Sequence, residues 1–193
     1  IMDTIAQNLK FVQERINKAC EVAGRDPKEV KLLLATKTVE PTRIQQAFSL
    51  GYTLIAENKV QELKEKYEAL KPTPHTNHFI GHLQTNKIKD ILKCDVSCIE
   101  SLDRYDLAEK LHQKLSQVGK EIDVFIQVNT SGEESKFGVA PEQALELVKQ
   151  VAQFPTLHIK GLMTIGLFSA EEKKVRKCFQ LLKNIQEQII ALN

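Results

Sequence analysis

VKLLLATKTVEP, residues 30–41, contains an apolar run, Leu32, Leu33, Leu34 and Ala35, too short for a helix and closed on both sides by polar residues. Such a run reads as a strand buried on both faces, the kind that parallel sheets contain. A lysine, Lys37, stands where the run ends. Ligands of parallel sheets and barrels collect at the C-terminal ends of the strands, so Lys37 is expected at the mouth of a site, in a partly dry setting. Desolvation favours the neutral amine, the form that condenses with a carbonyl to give a Schiff base. Lysines just past a strand are more commonly solvated, so position alone does not assign this chemistry.

Ahead of that stretch, Ile5, Leu9, Val12, Ile16 and Cys20 recur at helical spacing with Gly24 as a stop, which predicts an extra helix before the first strand. After it, strand and helix alternate. Pro41 opens a helix with Ile44, Ala47, Phe48 and Leu50 on its apolar face. Residues 53–56 are a strand that runs into Glu57 and Asn58, and a charged amphipathic helix over 59–70 stops before Pro72 and Pro74. Further strands are predicted at 78–81, 95–100, 122–129 and 158–165, each followed by a helical pattern. Leu102, Leu107, Ala108, Leu111 and Leu115 form one helix face, and Ser169 with Glu172 forms a capping box for the last helix. Six strand-helix units without a long linker or a break in composition argue for a single α/β domain over residues 1–193, as a barrel or a doubly wound sheet. No GxGxxG or Walker-type loop follows any strand, so dinucleotide and P-loop folds have no support.

The 193 residues are 27% charged and 42% apolar, with a formal net charge of +2. Basic residues are scattered among acids, which argues against nucleic acid and membrane-surface partners. No apolar run approaches the roughly 20 residues a membrane span needs. The cysteines, Cys20, Cys94, Cys98 and Cys178, contain no CxxC pair. Cys94 and Cys98, flanking a short apolar segment, are expected as buried free thiols in a reducing cytosol rather than a disulfide or zinc pair.

The strand ends, taken together, offer Lys37 and Thr38, Glu57 and Asn58, His82 and Gln84, Glu100 and Ser101, Asn129 and Lys136, and Met163 and Thr164. Polar groups recur at the same end of successive strands, as a shared site requires. Blander roles compete at each position. His78 and His82 are four apart on a strand without an intervening glutamate, which does not build a zinc pair. Glu57 and Glu100 are expected to cap the helices that follow them rather than to act as an acid–base pair. Lys136 fits a solvated loop and Met163 fits a core position. Cys98 has no histidine placed to activate it.

Five blocks carry a resemblance: ATKT around Lys37, AENKVQE at 56–62, HFIGHLQTNK at 78–87, QVNTSGEESKFG at 127–138 and KGLMTIG at 160–166. In this order they resemble the YggS/PROSC family, the pyridoxal phosphate homeostasis proteins, whose fold resembles the barrel domain of alanine racemase, fold type III. The resemblance implies a (β/α)8 TIM-barrel type with an extra N-terminal helix, of which six strand-helix units are present here. It implies pyridoxal 5′-phosphate (PLP) held as a Schiff base on Lys37, Asn58 and His82 near the ring, Met163 lining the mouth, and Lys136 near the phenolic oxygen. Neither a metal nor a catalytic residue is assigned. Ala56 stands where the family commonly has glycine. The family's seventh and eighth strands, with a serine/glycine-rich stretch and an Arg-x-Gly stretch that supply much of the phosphate cradle, have no counterpart in these residues, so the domain is expected to lack them.

The function the resemblance implies is intracellular PLP homeostasis by a cytoplasmic, monomeric carrier that is not an enzyme and passes the cofactor to PLP-dependent apoenzymes. One alternative is a PLP-dependent amino acid racemase-like enzyme. Racemisation needs a second acid/base, and the only tyrosines, Tyr52, Tyr67 and Tyr105, are expected on helices or at the wrong end of a strand. The other alternative is a cofactor-free lyase that uses Lys37 directly on a substrate carbonyl.

Overall fold

The structure, a computed structural model, describes residues 4–192. Chain packing divides the protein into two compact units, Ile1–Asn77 and His78–Asn193.

The first unit opens with α1, Ile5–Ala23. Thr4 and Gln7 cap its start reciprocally, and Gly24, at φ 68°, closes it in the left-handed conformation that glycine reaches without a steric penalty. Leu9 and Cys20 are its buried residues, so it packs along one narrow face. Next come β1 (Leu34–Ala35), α2 (Pro41–Ser49), β2 (Leu54–Glu57) and α3 (Val60–Leu70). The two strands pair in parallel, Leu34↔Ile55 and Ala35↔Ala56. Ile44, Phe48, Ile55 and Leu70 form the core of this unit, with Leu34 and Val39 packed on it.

The sequence expectation for β1 requires correction. The strand has two residues, Leu32 to Leu34 are only half-buried, and Ala35 is exposed. Neighbouring strands pair a strand's edges, whereas burial of both faces needs a layer packed on each, and the half-buried leucines and exposed Ala35 are not covered in that way. Leu50, expected on the apolar face of α2, is the exposed C-cap of that helix.

β3 (Thr76–Phe79) starts in the first unit, where the Thr76 N–H donates to Thr53 O at 2.8 Å, and ends in the second. The second unit continues through α4 (Ile88–Lys93), β4 (Cys98–Leu102), α5 (Tyr105–Val118), β5 (Ile122–Gln127), α6 (Ala144–Ala152), β6 (Leu157–Met163) and α7 (Glu172–Ile190). The strand order is β1-β2-β3-β4-β5-β6, and the pairs β3–β4, β4–β5 and β5–β6 are parallel. All five residues of β4 are buried. α5 covers the sheet with Leu107, Ala108, Leu111 and Leu115, each leucine contributing roughly 1.5–3 kcal/mol by leaving water. Leu102 belongs to β4 and not to that helical face. The capping box expected at Ser169 does not form. α7 begins at Glu172, too late for Ser169 to be its N-cap, and Ser169 Oγ instead accepts the Glu171 N–H at 3.0 Å.

Candidate functional site

The side chains that could carry chemistry fall into one group per unit. In the first, Lys37 and Asn58 each lie two residues past the last register pair, Ala35↔Ala56, so parallel pairing delivers them to the same end of adjacent strands. Lys37 is exposed, which corrects the partly dry setting expected of it, because the two-residue β1 gives it no wall. Among the described residues its ammonium has no hydrogen-bond or ion-pair partner. Asn58 is half-buried, and its Oδ1 is buried without a donor. A buried acceptor left unpaired costs free energy and calls for a specific explanation.

Lys37 rides on a turn. The Val39 N–H donates to Thr36 O at 3.0 Å, and between them Thr38 adopts φ 62°, a region that disfavours a β-branched residue. Thr36 Oγ1 lies 2.6 Å from Glu57 Oε2 and 3.1 Å from Ala56 O. Lys66 of α3 reaches in from below: its Nζ donates to Glu57 Oε2 and to Thr36 O, both at 2.7 Å, and lies 3.4 Å from Glu62 Oε1. That Glu62 oxygen accepts the Thr38 N–H at 2.7 Å. This N–H is the main reason the Glu62 carboxyl is held below its usual range; burial opposes it, and the charges of Lys66 and Lys59 add to it. Glu57 therefore does not cap α3, whose N-cap Lys59 has no side-chain bond, but holds a buried ion pair.

In the second unit, His82 follows β3 by three residues, and its ring stacks on Phe137 with centroids 4.1 Å apart and planes at 13°. Phe137 belongs to the loop after β5, which folds around one side chain. Asn129 Nδ2 donates to Glu133 O at 2.8 Å and Lys136 O at 3.3 Å, while Asn129 Oδ1 accepts from the Ser131 N–H and hydroxyl. Gly138 closes the loop at φ 114°, where a Cβ would stand 2.6 Å from Asn129 N, and its N–H donates to Asp103 Oδ2 at 3.0 Å. The backbone of Lys136 is thus fixed while its side chain is exposed. With Asn129, Thr130, Phe137 and Thr164 it lines a cleft of ≈ 260 Å³.

Met163 is the last residue of β6, half-buried and opposite Gln127, and its carbonyl accepts the Val128 N–H at 2.9 Å. Thr164, beside it, bonds Val128 O and Thr130 Oγ1, each at 2.8 Å. Glu100 pairs with His78 Nδ1 at 3.2 Å and caps nothing; the N-cap of α5 is Arg104. Burial, reinforced by Glu100 and Asp123, pushes the Cys98 thiol up to about 12, which makes it a poor nucleophile.

The structure thus places Lys37 and Asn58 at the same end of adjacent strands in one unit and links the Lys136 loop to His82, through Phe137, in the other, with Met163 beside the strand from which that loop departs. Sequence reasoning missed Lys66, Glu62, Phe137 and Asp103. Glu62 and Lys66 are four apart in a charged run that reads as a solvated helix face, and only the buried Glu57 turns them inward. A lone aromatic between Lys136 and Gly138 in an otherwise polar loop was the available signal for Phe137. Among the described residues no cluster of three or more His, Cys, Asp or Glu side chains could hold a metal ion, and no helix is long and apolar enough to cross a membrane.

Comparison with known proteins adds four findings. The family described as alanine racemase, N-terminal domain, matches residues 2–192. A pyridoxal phosphate homeostasis protein of Aquifex aeolicus is 42% identical over 183 residues, 95% of this chain and 80% of that protein. Among solved structures, an unknown protein from Bifidobacterium adolescentis aligns with a TM-score of 0.93 at 34% identity, covering 100% of this chain and 83% of that one. PipY of Synechococcus elongatus, solved with PLP bound, shares the fold with a TM-score of 0.78 at 24% identity, over 92% of this chain and 82% of its own.

Proposed function

We propose, since this chain belongs to the family of pyridoxal phosphate homeostasis proteins built on the alanine racemase N-terminal-domain fold, that it binds PLP as a Schiff base on Lys37 and serves intracellular PLP homeostasis. The observation that carries the reading is the Lys37 amine, unpartnered among the described residues, at the same strand end as Asn58, whose buried Oδ1 has no donor among them. These residues fit the group: an aldehyde needs a free amine, and a polar ring needs a hydrogen-bonding neighbour fixed in place. By the family resemblance, His82 is read as a ring neighbour, Lys136 as a partner of the phenolic oxygen and Met163 as lining the mouth.

When bound, PLP supplies a carbonyl that amines capture reversibly and a ring that withdraws electrons. The chain's own contribution is to present the Lys37 amine and to keep it open to water. Exposure favours exchange of the cofactor over protected carbanion chemistry. The carrier role is in keeping with the relative's name, pyridoxal phosphate homeostasis protein, and the tyrosines bear on the racemase-like alternative. Tyr67 lies on α3 under Lys71, Tyr52 precedes β2, and Tyr105 bonds Glu109 on its own helix with its ring against Phe154. None is presented as a second acid/base at a strand's C-terminal end. PLP-dependent apoenzymes are the recipients in this reading, and the protein acts as a cytoplasmic monomer.

The test is a PLP titration followed by absorbance on the protein and on Lys37→Ala, with chiral chromatography after incubation with L-alanine. A saturable long-wavelength band that is absent in Lys37→Ala, with no inversion of alanine, is expected. An undiminished band in the variant contradicts the Lys37 assignment, and sustained inversion favours the racemase-like alternative.

A further inference from the structure

Lys37 is held from behind by groups that no role in cofactor contact requires. The turn that presents it contains Thr38 at φ 62°, a conformation that β-branched residues adopt only when their surroundings impose it. The surroundings here are two side chains of α3, one on each side of Lys37. Lys66 Nζ donates to the carbonyl of Thr36, the residue before, and Glu62 Oε1 accepts the N–H of Thr38, the residue after, both at 2.7 Å. Glu62 and Lys66 are 3.4 Å apart, so the two contacts are coupled. The assembly is anchored in the core by Glu57, 2% exposed, which takes a second donation from Lys66 at 2.7 Å and lies 2.6 Å from the Thr36 hydroxyl.

We propose that Lys66, Glu62 and Glu57 form a positioning network that locks the backbone on both sides of Lys37 and so fixes the direction in which its amine is presented. The proposal rests on the reading of Lys37 as the PLP-binding lysine. Several features distinguish this network from a stability-only ion pair. A buried Lys–Glu pair contributes little net stability, because desolvation offsets most of the attraction. Lys66 donates to a main-chain carbonyl rather than only to acids. Glu62 accepts from the one N–H whose residue is in the disfavoured conformation. Such an arrangement acts on geometry: it holds the amine ready, so that less orientational freedom remains to be lost when an aldehyde is captured.

Glu62→Ala removes the acceptor for Thr38 and leaves the buried Lys66–Glu57 pair intact, so it is the cleanest variant; Glu62→Gln keeps an acceptor without the charge. Two readouts separate this proposal from the one it rests on. The first needs no cofactor: hydrogen-exchange protection of the Thr38 amide, measured where circular dichroism shows both variants fully folded. A loss of about tenfold or more is expected in Glu62→Ala and substantial retention in Glu62→Gln, in line with one hydrogen bond of about 1.4 kcal/mol. The second is the rate of appearance of the PLP band at fixed cofactor concentration, expected to fall about fivefold to tenfold in Glu62→Ala and to be restored to within about twofold by Glu62→Gln. Unchanged Thr38 protection overturns the network itself. Lost protection with an unchanged rate overturns the positioning role and leaves the Lys37 reading standing. No band on the unaltered protein defeats the Lys37 reading, with the amide readout still deciding whether the turn is locked.

Discussion

At Lys37 the contest is between a solvated lysine and a reactive one, and exposure does not decide it. Imine formation requires a neutral amine at the moment of attack, which a solvated lysine supplies as a small fraction, so orientation and freedom from ion pairs carry the weight. Among the described residues Lys37 is free of ion pairs, and orientation is what the α3 network is proposed to supply. Two other residues allow sharp tests. Gly138 combines φ 114° with a space in which a Cβ would meet the Asn129 backbone at 2.6 Å. Gly138→Ala is therefore expected to cost about 2 kcal/mol or more in denaturant unfolding and to loosen the loop that carries Lys136 and Phe137. An unchanged midpoint would show that the loop yields without strain. Cys98, with its thiol raised to about 12, is expected to resist iodoacetamide in the folded protein at neutral pH and to react once denaturant is added. Fast labelling of Cys98 in the native state would refute its burial.

At the scale of elements, α3 does more than cover the sheet. Leu63 and Leu70 face the core, while Glu62 and Lys66 tie the helix to the turn after β1. The carboxyl of Glu62, faced by the Thr38 N–H and by Lys66 and Lys59, is held below its ordinary 4.5. A group with a lowered folded pKa contributes stability that is complete above its unfolded value and is lost as pH falls through the folded one. The stability difference between the protein and Glu62→Gln is accordingly expected to be constant near neutrality and to shrink below 4.5, read from thermal melts across pH. A difference independent of pH would mean that the Glu62 charge plays no part. Legibility in sequence also varied by element. α1 and α5 were readable from period and terminal glycine, since Gly24 and Gly119 take left-handed conformations that few other residues adopt. β1 reads in the sequence as longer and more buried than it is, because an apolar run reports the tendency to be buried but not which faces other layers cover. Glu57 and Glu100 were misassigned as caps, because their partners, Lys66 and His78, come from other elements of the fold.

For the molecule as a whole, the alternation of strand and helix was enough to give a parallel six-stranded sheet in sequence order, and the strand ends were enough to propose where chemistry lies. Periodicity names no ligand; five sequence blocks carry the resemblance to the pyridoxal phosphate homeostasis proteins, and a 42% identical relative bears that name. What stayed hidden was everything that depends on long-range pairing: the lock behind Lys37, the Phe137–His82 stack and the Asn129-centred loop. The central claim is that one lysine of this chain captures PLP, and borohydride reduction of the PLP-loaded protein followed by peptide mass mapping tests it most directly. A single pyridoxyl adduct on the Lys37 peptide, with loss of the long-wavelength band, is the result expected. An adduct spread over several surface lysines, or concentrated on Lys136 or Lys66, would contradict it.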